Sequence, residues 1–84
     1  MDKERFKELL DAEYSWPSSY TFKFIVKQSA LSSVLELFPL EQPSVRQSSR
    51  ANFVAVTFTV TMTASAEVIL VYERAAQMED VIAL

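Results

Sequence analysis

The chain predicts an α+β domain in which a four-stranded antiparallel sheet carries two helices on one face, with a short helix ahead of it. Three observations predict this. Side chains alternate with a period of two over residues 20–27 and again over residues 52–63, and an apolar stripe of helical period follows each of these strands.

The elements follow in order. In residues 2–13, Phe6, Leu9 and Leu10 fall at i, i+3 and i+4 among charged residues, the pattern of a short amphipathic helix. It reads as a loosely attached leader, so residues 1–19 are set apart from a domain at 20–84. Trp16-Pro17-Ser18-Ser19 ends that helix, because proline forces its predecessor toward an extended backbone and serines favour turns. Trp16 is expected to lie as a lid over one end of the core.

In residues 20–27, Tyr20, Phe22, Phe24 and Val26 point one way, while Thr21, Lys23, Ile25 and Lys27 point the other. Ser29 is expected to cap a helix of about nine or ten residues, which Leu31, Val34, Leu35 and Phe38 stripe and Pro39 stops. Residues 40–43 form a loop. Residues 44–50, polar and weakly patterned, suit an edge strand. The clearest element is 52–63, with Val54, Val56, Phe58, Val60 and Met62 on one face. Ala51 and Asn52 are left for a tight hairpin turn. Ser65 is expected to cap the next helix with Glu67 in its first turn, and Val68, Val71, Tyr72 and Ala75 form its stripe. Residues 81–84 supply a final short strand.

Strand, helix, strand, strand, helix, strand with right-handed crossovers is the ferredoxin-like βαββαβ sandwich. Its core is expected where the even-numbered strand residues meet Leu31, Leu35, Phe38, Val68, Val71 and Tyr72. Met62 and Met78 are read as core filler.

Composition narrows the chemistry. The chain has 84 residues, half of them hydrophobic, a formal charge of −3, and no Gly, His or Cys. Without Cys there is no disulfide, zinc ribbon or thiol nucleophile, and without His the usual proton shuttle and the commonest metal ligand are missing. About six glycines would be average, so a glycine-free chain also excludes the phosphate loops that need bare backbone. Neither an enzyme nor a cofactor is therefore expected. The carboxylate pairs Glu4 and Glu8, and Glu79 and Asp80, lie on highly charged stretches where burial does not tune them. An acylphosphatase-like activity fails because Lys27-Gln28-Ser29 is too short to cradle phosphate and carries no Gly or Arg. No apolar run reaches the roughly 18 residues of a membrane span. A soluble, cytoplasmic protein with no membrane association is the expectation.

Several segments carry a family resemblance: Trp16-Pro17, Tyr20-Thr21-Phe22-Lys23, the run Ser48-Ser49-Arg50-Ala51-Asn52-Phe53, Val56-Thr57-Phe58-Thr59-Val60, and Val71-Tyr72-Glu73 before a terminal apolar strand. Together they resemble the YbeD-like family of small bacterial proteins of unknown function. The resemblance implies a ferredoxin-like fold similar to ACT-type regulatory domains, with dimerisation and small-molecule sensing rather than catalysis. Ala51 stands where that family commonly has glycine before the asparagine.

Parity assigns the uncovered sheet face. With Phe22 and Val54 inward, Lys23, Lys27, Phe53, Thr57, Thr59 and Thr61 face outward, and taking Val45 inward adds Arg46, Ser48 and Arg50. Four cations and one aromatic then share one side of an acidic molecule. The candidate ligand-binding residues are Lys23, Arg46, Ser48, Ser49, Arg50, Asn52 and Phe53, whose cations, hydroxyls and amide suit a carboxylate or phosphate. The plain alternative is that the cations solubilise an exposed face and the threonines suit a strand. The expected partners are a second copy of the chain and a small anionic metabolite or a metabolic enzyme. Single-stranded nucleic acid stacking on Phe53 is the weaker alternative. Four phosphate contacts give a salt slope of about −3, and one stacked base contributes about 1–3 kcal/mol against a net negative body.

Overall fold

The computed structural model describes residues 2–49 and 52–84. Its elements are α1 (Lys3–Glu13), β1 (Ser18–Lys27), a single 3-10 turn (Gln28–Ala30), α2 (Leu31–Leu35), β2 (Ser44–Gln47), β3 (Phe53–Met62), α3 (Ser65–Ala76) and β4 (Val81–Ala83). The four strands form one antiparallel sheet in the order β2-β3-β1-β4. This α+β arrangement is compatible with a ferredoxin-like fold.

Register explains the two faces. Phe22 pairs with Phe58, Phe24 with Val56 and Val26 with Val54, so the even-numbered residues of both central strands share one side. There they join Leu10, Val34, Leu37, Val68, Ile69 and Val71 in a single buried cluster. Phe22 is fully buried, and its ring meets those of Tyr20, Phe24, Phe38 and Tyr72 at centroid separations of 4.7–6.4 Å. Met62 belongs to this core, while Met78 packs only half-buried against it.

The N-terminal helix is not a loose leader. Asp2 caps it by accepting the Arg5 N–H at 3.1 Å, and Leu10 is only 4% exposed. Phe6 packs its ring 5.7 Å from that of Tyr72, and Lys3 pairs with Glu73, so α1 docks on α3. Asp11 completes the attachment by accepting from Lys7 Nζ at 2.9 Å and from Trp16 Nε1 at 2.8 Å, with the Ser65 hydroxyl as a further partner. Trp16 is half-buried and stacks on Tyr14, as a cover over this end of the core.

These donors, Lys7 first and then Trp16 and Ser65, hold the Asp11 carboxyl down to about 2 from its ordinary 3.8. A depressed carboxyl contributes stability above its unfolded value and loses it as pH falls through the folded one. Trp16 fluorescence is therefore expected to change on acidification from pH 3.8 to about 2. Asp11→Ala should show the acid-form spectrum already at neutral pH. A wild-type titration complete above pH 4, or a variant that titrates like the wild type, would show that Asp11 does not hold the indole.

Several local expectations are corrected. Neither serine cap forms: the α2 and α3 caps are Ala30 and Ala64, with no side-chain hydrogen bond. Ser29 lies in the 3-10 turn, and Ser65 is buried with its hydroxyl directed to Asp11. Glu67 does the work at α3 by reaching back to the Thr63 N–H at 3.1 Å and the Thr63 hydroxyl at 2.8 Å, which also lowers its pKa. The expected helix of nine or ten residues shrinks to the five of α2. The hairpin is also wider than two residues. β2 ends at Gln47 opposite Val54, and the Ser48 N–H donates to the Phe53 carbonyl at 3.0 Å, so a loop rather than a tight turn joins the strands. Ala51 lies outside the described residues.

No glycine is available where the backbone must turn left-handed, and Asn52 (φ 70°) and Asp80 (φ 62°) fill those places. Both flank the end of β1: Gln28 donates to the Asn52 carbonyl at 2.7 Å and Lys27 to the Asp80 carbonyl at 2.9 Å.

Candidate functional site

The sheet face opposite the core is built from the odd-numbered residues of β1 and β3. Lys23 pairs with Thr57, Ile25 with Ala55 and Lys27 with Phe53. Edge strands extend these rows: Ser44 lies opposite Thr57, Arg46 opposite Ala55, and Ile82 opposite Ile25. One row therefore reads Ser44, Thr57, Lys23 and the next Arg46, Ala55, Ile25, Ile82. Val45 pairs with Val56 and so faces the core side, which places Arg46 outward as parity requires. Farther along, Thr21 and Thr59 share a hydroxyl hydrogen bond of 3.3 Å.

Between the first two rows lies a shallow depression of about 310 Å³ lined by Lys23, Ser44, Arg46, Ala55 and Thr57. Lys23 and Arg46 are both exposed, and among the described residues neither makes an ion pair with a carboxylate. Two cations and two hydroxyls thus converge on a floor made by one alanine. This arrangement can hold an anion by charge and by hydroxyl donation. Its lining residues include no carboxylate, imidazole or thiol. The carboxyls with shifted pKa, Asp11 and Glu67, owe their shifts to hydrogen bonds at α1 and at the start of α3, and Tyr72 owes its raised pKa to burial and the Tyr20 hydroxyl. Among the described residues, no cluster of three acidic side chains gathers to hold a metal ion. Among the described residues, no helix is long and apolar enough to cross a membrane.

The sequence-derived candidates divide into two groups along the sheet. Lys23 and Arg46 come together in the depression. Ser48, Ser49, Asn52 and Phe53 lie at the hairpin end, one row beyond Arg46 and beside Lys27. Phe53 is half-buried, Asn52 is committed to the left-handed bend, and Gln47 Nε2 donates to the Phe53 carbonyl at 3.3 Å. Arg50 lies outside the described residues. Ser44 and Thr57 were not among the candidates, although the same alternation that exposes Arg46 and Lys23 places them between the two cations.

No protein-family model, curated protein or solved structure matches the chain.

Proposed function

We propose that the chain is a non-catalytic binding module that takes a small anionic metabolite, carboxylate- or phosphate-bearing, on its open sheet face. The observation that carries this reading is the depression in which Lys23 and Arg46, without carboxylate partners among the described residues, flank the hydroxyls of Ser44 and Thr57. The fold assigned with it is the ferredoxin-like βαββαβ sandwich, supported by the strand order β2-β3-β1-β4 and by a single core on one side of the sheet. A regulatory, ACT-like role is what the resemblance to the YbeD-like family implies. A dimer of the kind that resemblance implies would present two such depressions.

Exposed charge pairs contribute only about 0.2–1 kcal/mol each, so affinity for a simple dianion is expected in the millimolar range. Citrate and inorganic phosphate titrated into isotopically labelled protein should shift the amides of Ser44, Arg46 and Thr57 and leave those of α1 unmoved. Lys23→Gln and Arg46→Gln should each weaken binding about two- to fivefold, and 0.5 M salt should remove most of it, as about 3 Å of screening length implies at molar strength. Shifts confined to the hairpin end, or unchanged affinity in the double variant, would transfer the site elsewhere.

A further inference from the structure

A second, larger concavity lies away from the sheet-face cations. It measures about 730 Å³ and runs along β4 beside α1 and α3, lined by Phe6, Tyr20, Tyr72, Ala75, Val81 and Leu84 among others. That size falls within the roughly 300–1,000 Å³ of small-molecule sites. In a chain that is 23% charged, none of its lining side chains carries a charge. Leu84 is 71% exposed and Ile82, which also lines it, 56%.

The lining has one side-chain polar feature. The hydroxyls of Tyr20 and Tyr72 lie 3.0 Å apart and hydrogen bond to each other. Two hydroxyls bring two protons and their mutual bond uses one. Among the described residues the pair has no further partner, so one O–H is left to donate. Burial and the Tyr20 hydroxyl raise the pKa of Tyr72, which keeps the phenol protonated at neutral pH. An anion would enter this groove without a cationic side chain to meet it, at the cost of its hydration. An uncharged molecule with one acceptor meets no such obstacle.

We propose that the groove beside β4 binds an uncharged, elongated apolar molecule bearing a single hydrogen-bond acceptor, such as an aliphatic ketone or ester. The acceptor takes the spare proton of the Tyr20–Tyr72 pair, and the hydrocarbon lies along Ala75, Ala76 and Val81. The site is separate from the anion depression and stands or falls independently of it.

The test titrates 2-nonanone into labelled full-length protein. Amide shifts are expected at Ala75, Ala76 and Val81–Leu84 and not at Ser44 or Arg46. The double variant Tyr20→Phe/Tyr72→Phe keeps both rings and removes both hydroxyls, and should weaken the ketone about three- to tenfold, the worth of one hydrogen bond. Ala76→Trp, at an exposed lining position, should abolish the shifts while circular dichroism stays native. Absent shifts, or equal affinity in the double variant, would overturn the assignment. So would light scattering that shows a dimer closed through β4, with Val81–Leu84 shifts that follow protein concentration and ignore the ketone.

Discussion

Replacing Phe22 with alanine is expected to cost about 3–5 kcal/mol, enough to leave much of the protein unfolded at room temperature. The side chain is 0% exposed at the centre of β1, and it touches rings contributed by β1 itself, by the segment after α2 and by α3. Removing it opens a cavity that no single neighbour can fill, because Phe24 and Phe38 are fixed by their own contacts with Phe58. Small domains hold the low end of the usual stability range of about 5–15 kcal/mol, so a loss of this size consumes most of it. Urea denaturation should show the midpoint fall sharply with little change in slope. Phe22→Leu retains much of the volume and should lose distinctly less. Similar losses for the two variants would mean that the aromatic contacts themselves, rather than the filled volume, carry the stabilisation.

Leu10→Ala is expected to destabilise the whole domain by about 2–5 kcal/mol, although it lies in the first eleven residues of regular structure. Leu9, its neighbour in α1, is 57% exposed, and Leu9→Ala should stay within about 0.5 kcal/mol of wild type. The contrast matters more than either value. A helix attached only by its charged contacts would show the two substitutions alike, since its surface ion pairs, Lys3 with Glu73 and Lys7 with Asp11, contribute little. Trp16 fluorescence and far-ultraviolet circular dichroism should follow one transition for the Leu10 variant, because α1 shares its core with the sheet. Two separated transitions would make α1 an independently melting unit.

Much of the sheet was legible in the sequence because a period of two carries its own phase. Once Phe22 faces the core, Lys23 must not, and the observed register pairs each even residue of β1 with an even residue of β3. The same logic put Lys23 and Arg46 on one face. It could not say that they share a depression while Ser48 and Asn52 sit a row farther on, since lateral register depends on which residues of β2 pair with β3.

The helices were less legible. A regular helix from Ser29 to Phe38 would bury Leu31 and Leu35, but a 3-10 turn followed by five α-helical residues changes the phase, so Leu37 turns into the core and Leu31 and Leu35 stay half-buried. Ser65 had the local look of a cap, yet its hydroxyl serves a carboxylate from another element, a partner no local pattern reveals. Likewise the stripe of Phe6 and Leu10 announced an apolar face without saying what would cover it. Periodicity put Tyr20 and Tyr72 on facing core stripes, but it could not say that their hydroxyls, fifty-two positions apart, bond to each other beside β4.

The two left-handed bends at Asn52 and Asp80 have a thermodynamic corollary. A polymer devoid of its most supple monomer wanders through fewer shapes when denatured, and each such stiffening favours the native form by about 0.4–1 kcal/mol. In exchange, the corners that suppleness would have made effortless are held under torsion, at a cost of about 1 kcal/mol apiece that short amide and carboxyl side chains partly soften. Relaxing one corner alone, by Asp80→Gly, sets these two effects against each other at a single bond.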